Sequence, residues 1–285
     1  LKPEHAAETN LKRFEREVQL TARLTHPNTI TIFDYCRTTD CVFYYAMDLI
    51  EGASLDRVVQ IAGALPPARV VHVLRHVAEA LTEAHDAGLI HRDVKPANII
   101  LCRQGGMHDF PKVVDFGLVK DLEHGAAADL TRADVVAGTP LYLAPEAINA
   151  PEVVSGQSDL YSLGAVGYFA LTGTNVFEGR TLVEVCSHHL HSTPEPPSAR
   201  LGHAVPADLE ALILECLAKD PKRRPAGAYE LCRRLEECES AEGWTSDNAR
   251  AWWTENGPHT AAATVASEES ELTLTRQVGD PAVGS

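Results

Sequence analysis

The sequence predicts an α+β protein in which a short β-rich region precedes a larger helical one. Three features predict it: two β-branched and aromatic runs near the start, a long stripe at helical spacing in the middle, and further helical segments beyond residue 156.

Residues 11–24 are predicted to form an amphipathic helix, with Phe14, Glu17, Thr21 and Leu24 on one face. A carboxylate therefore lies among apolar neighbours. His26-Pro27-Asn28 ends the helix, because a residue before proline is pushed out of the α region. Residues 29–35 and 42–49 read as an antiparallel strand pair, with turn residues 38–40 between them. After Glu51-Gly52, the residues Val70, Leu74, Val77, Leu81 and Ala84 form a helical stripe closed by Gly88. Residues 89–101 and 112–116 are short apolar segments around polar clusters. Residues 118–143 lack periodicity and read as a long surface loop of the kind that is often functional. Helices resume at 157–171, at 181–190 with a Thr181/Glu184 capping-box pattern, and within 206–218 and 225–238. Trp244, Trp252 and Trp253 form the last strong apolar feature and are expected to pack as a final helix against the helical lobe, with docking of a partner as the alternative. Beyond Asn256 small and polar residues predominate, which predicts disorder.

The chain has 285 residues, 45% of them apolar, and a net charge of −15. That charge argues against a partner bound by bulk attraction to its phosphates, whether nucleic acid or anionic membrane. The acidity is concentrated late: positions 236–285 hold ten carboxylates against Arg250 and Arg276. Seven cysteines without a C-x-x-C pair fit reduced core residues and a cytoplasmic location better than a disulfide framework or zinc ribbon. The longest apolar stretch, 160–171, is too short for the ~20 residues of a membrane span and reads as a buried helix. His188-His189-Leu190-His191 has no cysteine or carboxylate cluster in register and reads as surface histidines rather than a metal site.

Chemistry is concentrated in His91-Arg92-Asp93-Val94-Lys95-Pro96-Ala97-Asn98. Phosphoryl transfer to a hydroxyl needs a carboxylate to orient the nucleophile, a cation beside the moving group and an oxygen ligand for magnesium. Asp93, Lys95 and Asn98 offer these within six residues. Asp115-Phe116-Gly117 follows a strand-like Lys112-Val113-Val114 and supplies a second hard oxygen ligand. A D-F-G triplet alone is a common match; the longer pattern is rare by chance.

These motifs resemble the eukaryotic-type serine/threonine protein kinases, especially their bacterial members, over roughly residues 10–240. The resemblance implies a two-lobed kinase fold, with residues 1–50 in a partial small lobe and 51–240 in the large lobe; composition adds a tryptophan-rich extension at 241–256 and a disordered acidic tail at 257–285. It implies ATP and Mg2+ as cofactors and protein substrates with serine or threonine acceptors. Asp93 matches the catalytic base, Asn98 and Asp115 the magnesium ligands, and Phe116 the residue whose packing sets the active state. Val94 stands where leucine is usual, a packing change only. Gly138-Thr139-Pro140 and Ala144-Pro145-Glu146 resemble the substrate-docking loop and its anchor. Thr139 is expected to hydrogen-bond Asp93, Glu146 to pair with Arg224, and Asp159 to bind catalytic-loop amides. Met47 matches the gatekeeper, Asp48 and Ile50 the adenine-reading backbone, and Ile100 the residue under the adenine ring.

Glu17 matches the helix glutamate that pairs with an ATP-positioning lysine. No G-x-G-x-x-G or V-A-I-K precedes it, and Lys2 lies only fifteen residues away. The chain begins at Leu1, so it is expected to be a fragment whose Glu17 is unpaired and whose ATP binding is weak. Arg92, taken as an unpaired guanidinium beside Asp93, implies capture of a phosphate on the long loop. Thr131, eight residues before Thr139, is the expected acceptor, phosphorylated in a transient dimer. A scaffold without catalysis and a small-molecule phosphotransferase are the rival readings. Intact Asp93, Asn98 and Asp115 disfavour the first, and the Ala144-Pro145-Glu146 segment disfavours the second.

Overall fold

The computed structural model describes residues 17–37, 43–116 and 140–257. Helix α1 (17–21) leads into a loop, and a two-stranded antiparallel sheet follows from β1 (Ile32–Arg37) and β2 (Phe43–Met47). Strand β3 (Gly52–Ser54) then joins β4 (Ile99–Gln104) and β5 (Met107–Val113) in a three-stranded sheet of order β3-β4-β5. Between β3 and β4 lie α2 (Leu55–Ala62) and α3 (Pro67–Asp86). The rest is helical: α4 (Pro145–Asn149), α5 (Gly156–Thr172), α6 (Leu182–His191), α7 (Pro197–Leu201), α8 (Ala207–Cys216), α9 (Ala228–Glu236) and α10 (246–257). This is the bilobal α+β arrangement. The turn expected at 38–40 and residues 258–285 of the tail expected at 257–285 lie outside the described residues, while Gly257 ends α10.

Two expected boundaries move. The first helix stops at Thr21, whose buried hydroxyl donates back to the Glu17 carbonyl at 2.9 Å, and the next turn tightens into i→i−3 bonds at Arg23 and Leu24. The strand expected from residue 29 begins at Ile32, because residues 28–30 are committed elsewhere. Val113 N donates to the Asn28 carbonyl at 2.7 Å, and Ile30 N donates to the Val113 carbonyl at 3.1 Å, a parallel bridge. Asn28 Nδ2 also donates to the Pro111 carbonyl. This stitch ties the small lobe to the end of β5.

Helix α3 buries Val70, Leu74, Val77, Leu81 and Ala84, and two residues past its end Gly88 sits at φ 77°, a left-handed position that glycine takes without strain. Helix α5 is capped by a reciprocal Ser155/Ser158 pair and is buried on nearly every side. It can approach its neighbours closely because Gly164 and Gly167 face them. A Cβ at 164 would lie 2.6 Å from Cys216 Cβ, and one at 167 would lie 2.8 Å from Leu74 Cδ1. The core of the large lobe thus forms where α3, α5, α8 and α9 meet. Among the described cysteines Cys102, Cys216, Cys232 and Cys238 are buried, Cys186 is half-buried and Cys36 is exposed.

The histidine run on α6 departs from the expected surface placement. Val185 and His189 lie four residues apart and share the buried face. His189 is fully buried, with Nδ1 2.9 Å from the Tyr161 hydroxyl and its ring edge-on to Phe177. Helix periodicity overrides the polarity of the side chain. His188 is half-buried and stacks on Phe177.

Candidate active site

The loop from α3 to β4 brings the polar residues together. Asp159, in the first turn of α5, accepts from His91 N at 2.9 Å and from Arg92 N at 2.8 Å, while His85 Nε2 lies 2.8 Å from Oδ2. These bonds hold Arg92 at φ 63°, a conformation costly for a side-chain-bearing residue. His91 is fully buried. Its Nδ1 accepts from Asp93 N at 3.3 Å, so Nε2 carries the proton toward the Val114 carbonyl at 3.1 Å. Burial pushes its pKa down, consistent with that neutral tautomer.

Asp93 lies at the centre. Its Oδ2 is 2.8 Å from Lys95 Nζ and 3.1 Å from Asn98 Nδ2, which also donates to the Asp93 carbonyl at 2.9 Å. Using the amide nitrogen on Asp93 leaves Asn98 Oδ1 as the oxygen able to hold a cation. Val114 N donates to the Asn98 carbonyl at 3.0 Å, which ties the backbone just before Asp115 to that of Asn98. Asp115 is exposed at φ 57°, and Phe116 turns inward, 1% exposed, its ring 4.5 Å from that of His91. Asn98 and Asp115 are a hard oxygen donor set that fits magnesium.

Glu17 requires a correction. Expected to be unpaired, it accepts from Arg92 Nη1 at 2.9 Å, and the same bond overturns the reading of Arg92 as an unpaired guanidinium. A largely covered carboxylate and a nearby guanidinium satisfy each other. The helix's exit is fixed by Glu83 of α3, which the sequence did not single out. Glu83 accepts from Thr25 N at 3.0 Å and from His26 N at 2.9 Å. Burial works against the charged Glu83, and these bonds outweigh it, so its pKa lies below the ordinary value.

Of the residues expected near adenine, Met47 ends β2 and is 45% exposed, Asp48 N donates to the Thr31 carbonyl at 3.0 Å, and Ile50 is half-buried. Ile100 is half-buried on β4, with Cγ2 2.9 Å from where a Cβ on Gly52 would lie. Glu146 and Arg224 form a bidentate pair, Nη1–Oε1 2.6 Å and Nη2–Oε2 2.9 Å, with Ser158 Oγ donating to Oε1. Burial opposes the charged Glu146, but the Arg224 and Ser158 bonds prevail and lower its pKa. Gly117, Thr131 and Thr139 lie outside the described residues.

Residues 1–235 match the protein kinase domain family. Serine/threonine-protein kinase pkn3 of Myxococcus xanthus is 38% identical over 225 residues, 78% of this chain and 41% of that protein. The probable serine/threonine-protein kinase PknB of Corynebacterium glutamicum is 34% identical over 91% of this chain and 38% of its own length. The chain thus spans about two fifths of these relatives. Among solved structures, a double-mutant form of the PknI kinase domain of Mycobacterium tuberculosis aligns with TM-score 0.61 and 27% identity, over 85% of this chain and 83% of that one. Rad53 1-466 in complex with AMP-PNP aligns with TM-score 0.63 at 24% identity, over 78% of this chain and 53% of that one, a likeness of fold.

Proposed function

Because the chain belongs to the protein kinase family, matched over residues 1–235, we propose that its protein transfers the γ-phosphoryl group of ATP to serine or threonine hydroxyls of protein substrates. The observation that carries this reading is the Asp93 carboxylate held between Lys95 Nζ at 2.8 Å and Asn98 Nδ2 at 3.1 Å. Asp93 orients the acceptor hydroxyl and takes its proton as the new O–P bond forms and the bond to the β-phosphate oxygen breaks, releasing ADP. Lys95 neutralises charge on the moving group. Asn98 and Asp115 would hold Mg2+, which neutralises charge on the phosphates. The relatives described as serine/threonine kinases support the acceptor class.

Regulation follows from Arg92. A phosphate on Thr131 would compete with Glu17 for the guanidinium, and phosphorylation between two copies in a transient dimer would supply it. A polypeptide of residues 1–285 alone contains no glycine-rich loop, so weak ATP binding is expected of it in isolation.

The test is transfer of labelled phosphate from ATP to a generic serine/threonine protein substrate, using the protein as expressed from its own gene. Asp93→Asn and Asp115→Asn, each shown to retain the wild-type melting profile, are expected to lose about a thousandfold or more in turnover. Wild-type turnover in both variants would overturn the assignment.

A further inference from the structure

A second cluster of buried charge lies away from the site described above. Arg69, in the first turn of α3, and Asp109, on β5, are each 0% exposed. Arg69 Nη2 donates to Asp109 Oδ1 at 2.8 Å, and Nε lies 2.8 Å from Oδ2 as an ion-pair contact without hydrogen-bond alignment. Two indoles complete the shell. Trp244 Nε1 donates to Oδ2 at 2.9 Å, and Trp253 Nε1 donates to Oδ1. The guanidinium carbon lies 4.1 Å from the ring centre of Trp252 and 4.8 Å from that of Trp244. A buried carboxylate is tolerable only with its oxygens satisfied, and a buried guanidinium only with its faces covered. All three tryptophans come from residues 244–257, beyond the end of the family match at residue 235.

That segment is built to dock. Thr245 and Asn248 form a reciprocal cap at the start of α10: Thr245 N donates to Asn248 Oδ1 at 3.0 Å, and Asn248 N donates to Thr245 Oγ1 at 3.3 Å. Gly243 allows the close approach to α3, since a Cβ there would lie 2.8 Å from Ala68 Cβ. Asp109 sits at φ 55° within β5, and its carbonyl is 2.9 Å from His72 Nε2. A residue held in that region inside a strand is over-determined by its surroundings. The same strand ends at Val113 and leads to Val114 and Asp115.

We propose that residues 244–257 form a strap whose indole N–H groups, closing on the Arg69–Asp109 pair, hold β5 in the register that presents Asp115. The strap is therefore part of the working kinase lobe rather than an appendage to it. The consequence for Asp115 rests on the function proposed above. The strap itself does not, because it can be tested without turnover.

The experiment is hydrogen exchange on the full chain, wild type against Trp253→Phe, which keeps the aromatic body and deletes one donor to Asp109. The amides of residues 109, 110 and 112–114 are expected to exchange about tenfold or more faster, with a lowered melting temperature. Trp244→Phe, removing the 2.9 Å bond, is expected to do the same and serves if the first variant does not fold. Unchanged β5 protection, or faster exchange confined to 244–257, would overturn the proposal. If β5 loosens while the Asp115→Asn enzyme stays fully active, the strap stands and the metal-ligand reading falls.

Discussion

The Glu17 carboxylate of α1 accepts from the Arg92 guanidinium of the loop between α3 and β4 at 2.9 Å. The bond joins the small lobe to the residue beside Asp93. On the regulation proposed above, Glu17 and Arg92 would have to leave this bond for other partners: Glu17 for an ATP-positioning lysine, Arg92 for a loop phosphate.

The side chains are 12% and 25% exposed, so solvent screens the pair only in part. A double-mutant cycle with Glu17→Gln and Arg92→Gln, read by thermal unfolding, is expected to give a coupling on the order of 1 kcal/mol in the unphosphorylated protein. In protein phosphorylated at Thr131 the coupling should vanish, because Arg92 has moved to the phosphate. Equal coupling in both forms would count against the exchange.

Asp159 offers a sharper test of loop geometry. Its two oxygens accept from the His91 and Arg92 amides and so hold Arg92 at its positive φ. Asp159→Asn replaces one acceptor with a donor that confronts a buried N–H. A loss of about 1–3 kcal/mol in stability follows, together with a fall in turnover as Asp93 loses its backbone support. Calorimetry and phosphotransfer read the two effects, and wild-type values in both would remove Asp159 from the positioning role.

What the sequence reveals depends on how local each interaction is. Asp93, Lys95 and Asn98 are legible because six residues of one loop supply the whole cluster, and spacing alone predicts that they meet. Thr181 as the cap of α6 is legible for the same reason: Glu184 N donates to its hydroxyl at 3.1 Å. Glu146 and Arg224 stand 78 positions apart, and only the order of family motifs pairs them in the sequence. The Arg69–Asp109 pair carries no such motif. Arg69 looks like a solvated helix charge, and Asp109 like a turn residue between His108 and Phe110. Burial of both follows from three tryptophans more than 130 positions later, a relation that periodicity cannot express. The Glu17–Arg92 pair is not legible in the sequence, because 75 positions separate the two and no spacing says which cation lies nearby in space.

Arg224 has its side chain fully buried and donates to both Glu146 oxygens, to the Gln157 carbonyl at 2.7 Å and to the Ala218 carbonyl at 2.9 Å. Arg224→Ala removes these four donations and a fifth, to the Lys219 carbonyl at 3.3 Å, and leaves the Glu146 charge covered and uncompensated. About 3–5 kcal/mol of destabilisation is expected by chemical denaturation, and Arg224→Met paired with Glu146→Met should cost distinctly less, since no lone charge remains. A double variant as unstable as the single one would show that the carbonyl contacts, rather than the ion pair, dominate.

The last prediction concerns acid. Burial and then the nearby Lys219 ammonium push the His189 pKa down to about 4 from the ordinary 6.5. The folded protein therefore takes up that proton later than the unfolded chain does. Between pH 6.5 and about 4 the unfolded chain binds more protons, so stability falls as pH falls through this window and is fully present above it. The contribution of His189 over the window is roughly 3 kcal/mol, since each tenfold difference in proton affinity is worth ~1.4 kcal/mol. Burial also lowers the pKa values of His72, His76 and His91, so they act in the same direction. His189→Gln keeps a polar side chain near Tyr161 but does not titrate, so its unfolding free energy should depend less steeply on pH between 4 and 6.5. Parallel curves for variant and wild type would mean that the His189 ring is reached by water in solution and titrates normally.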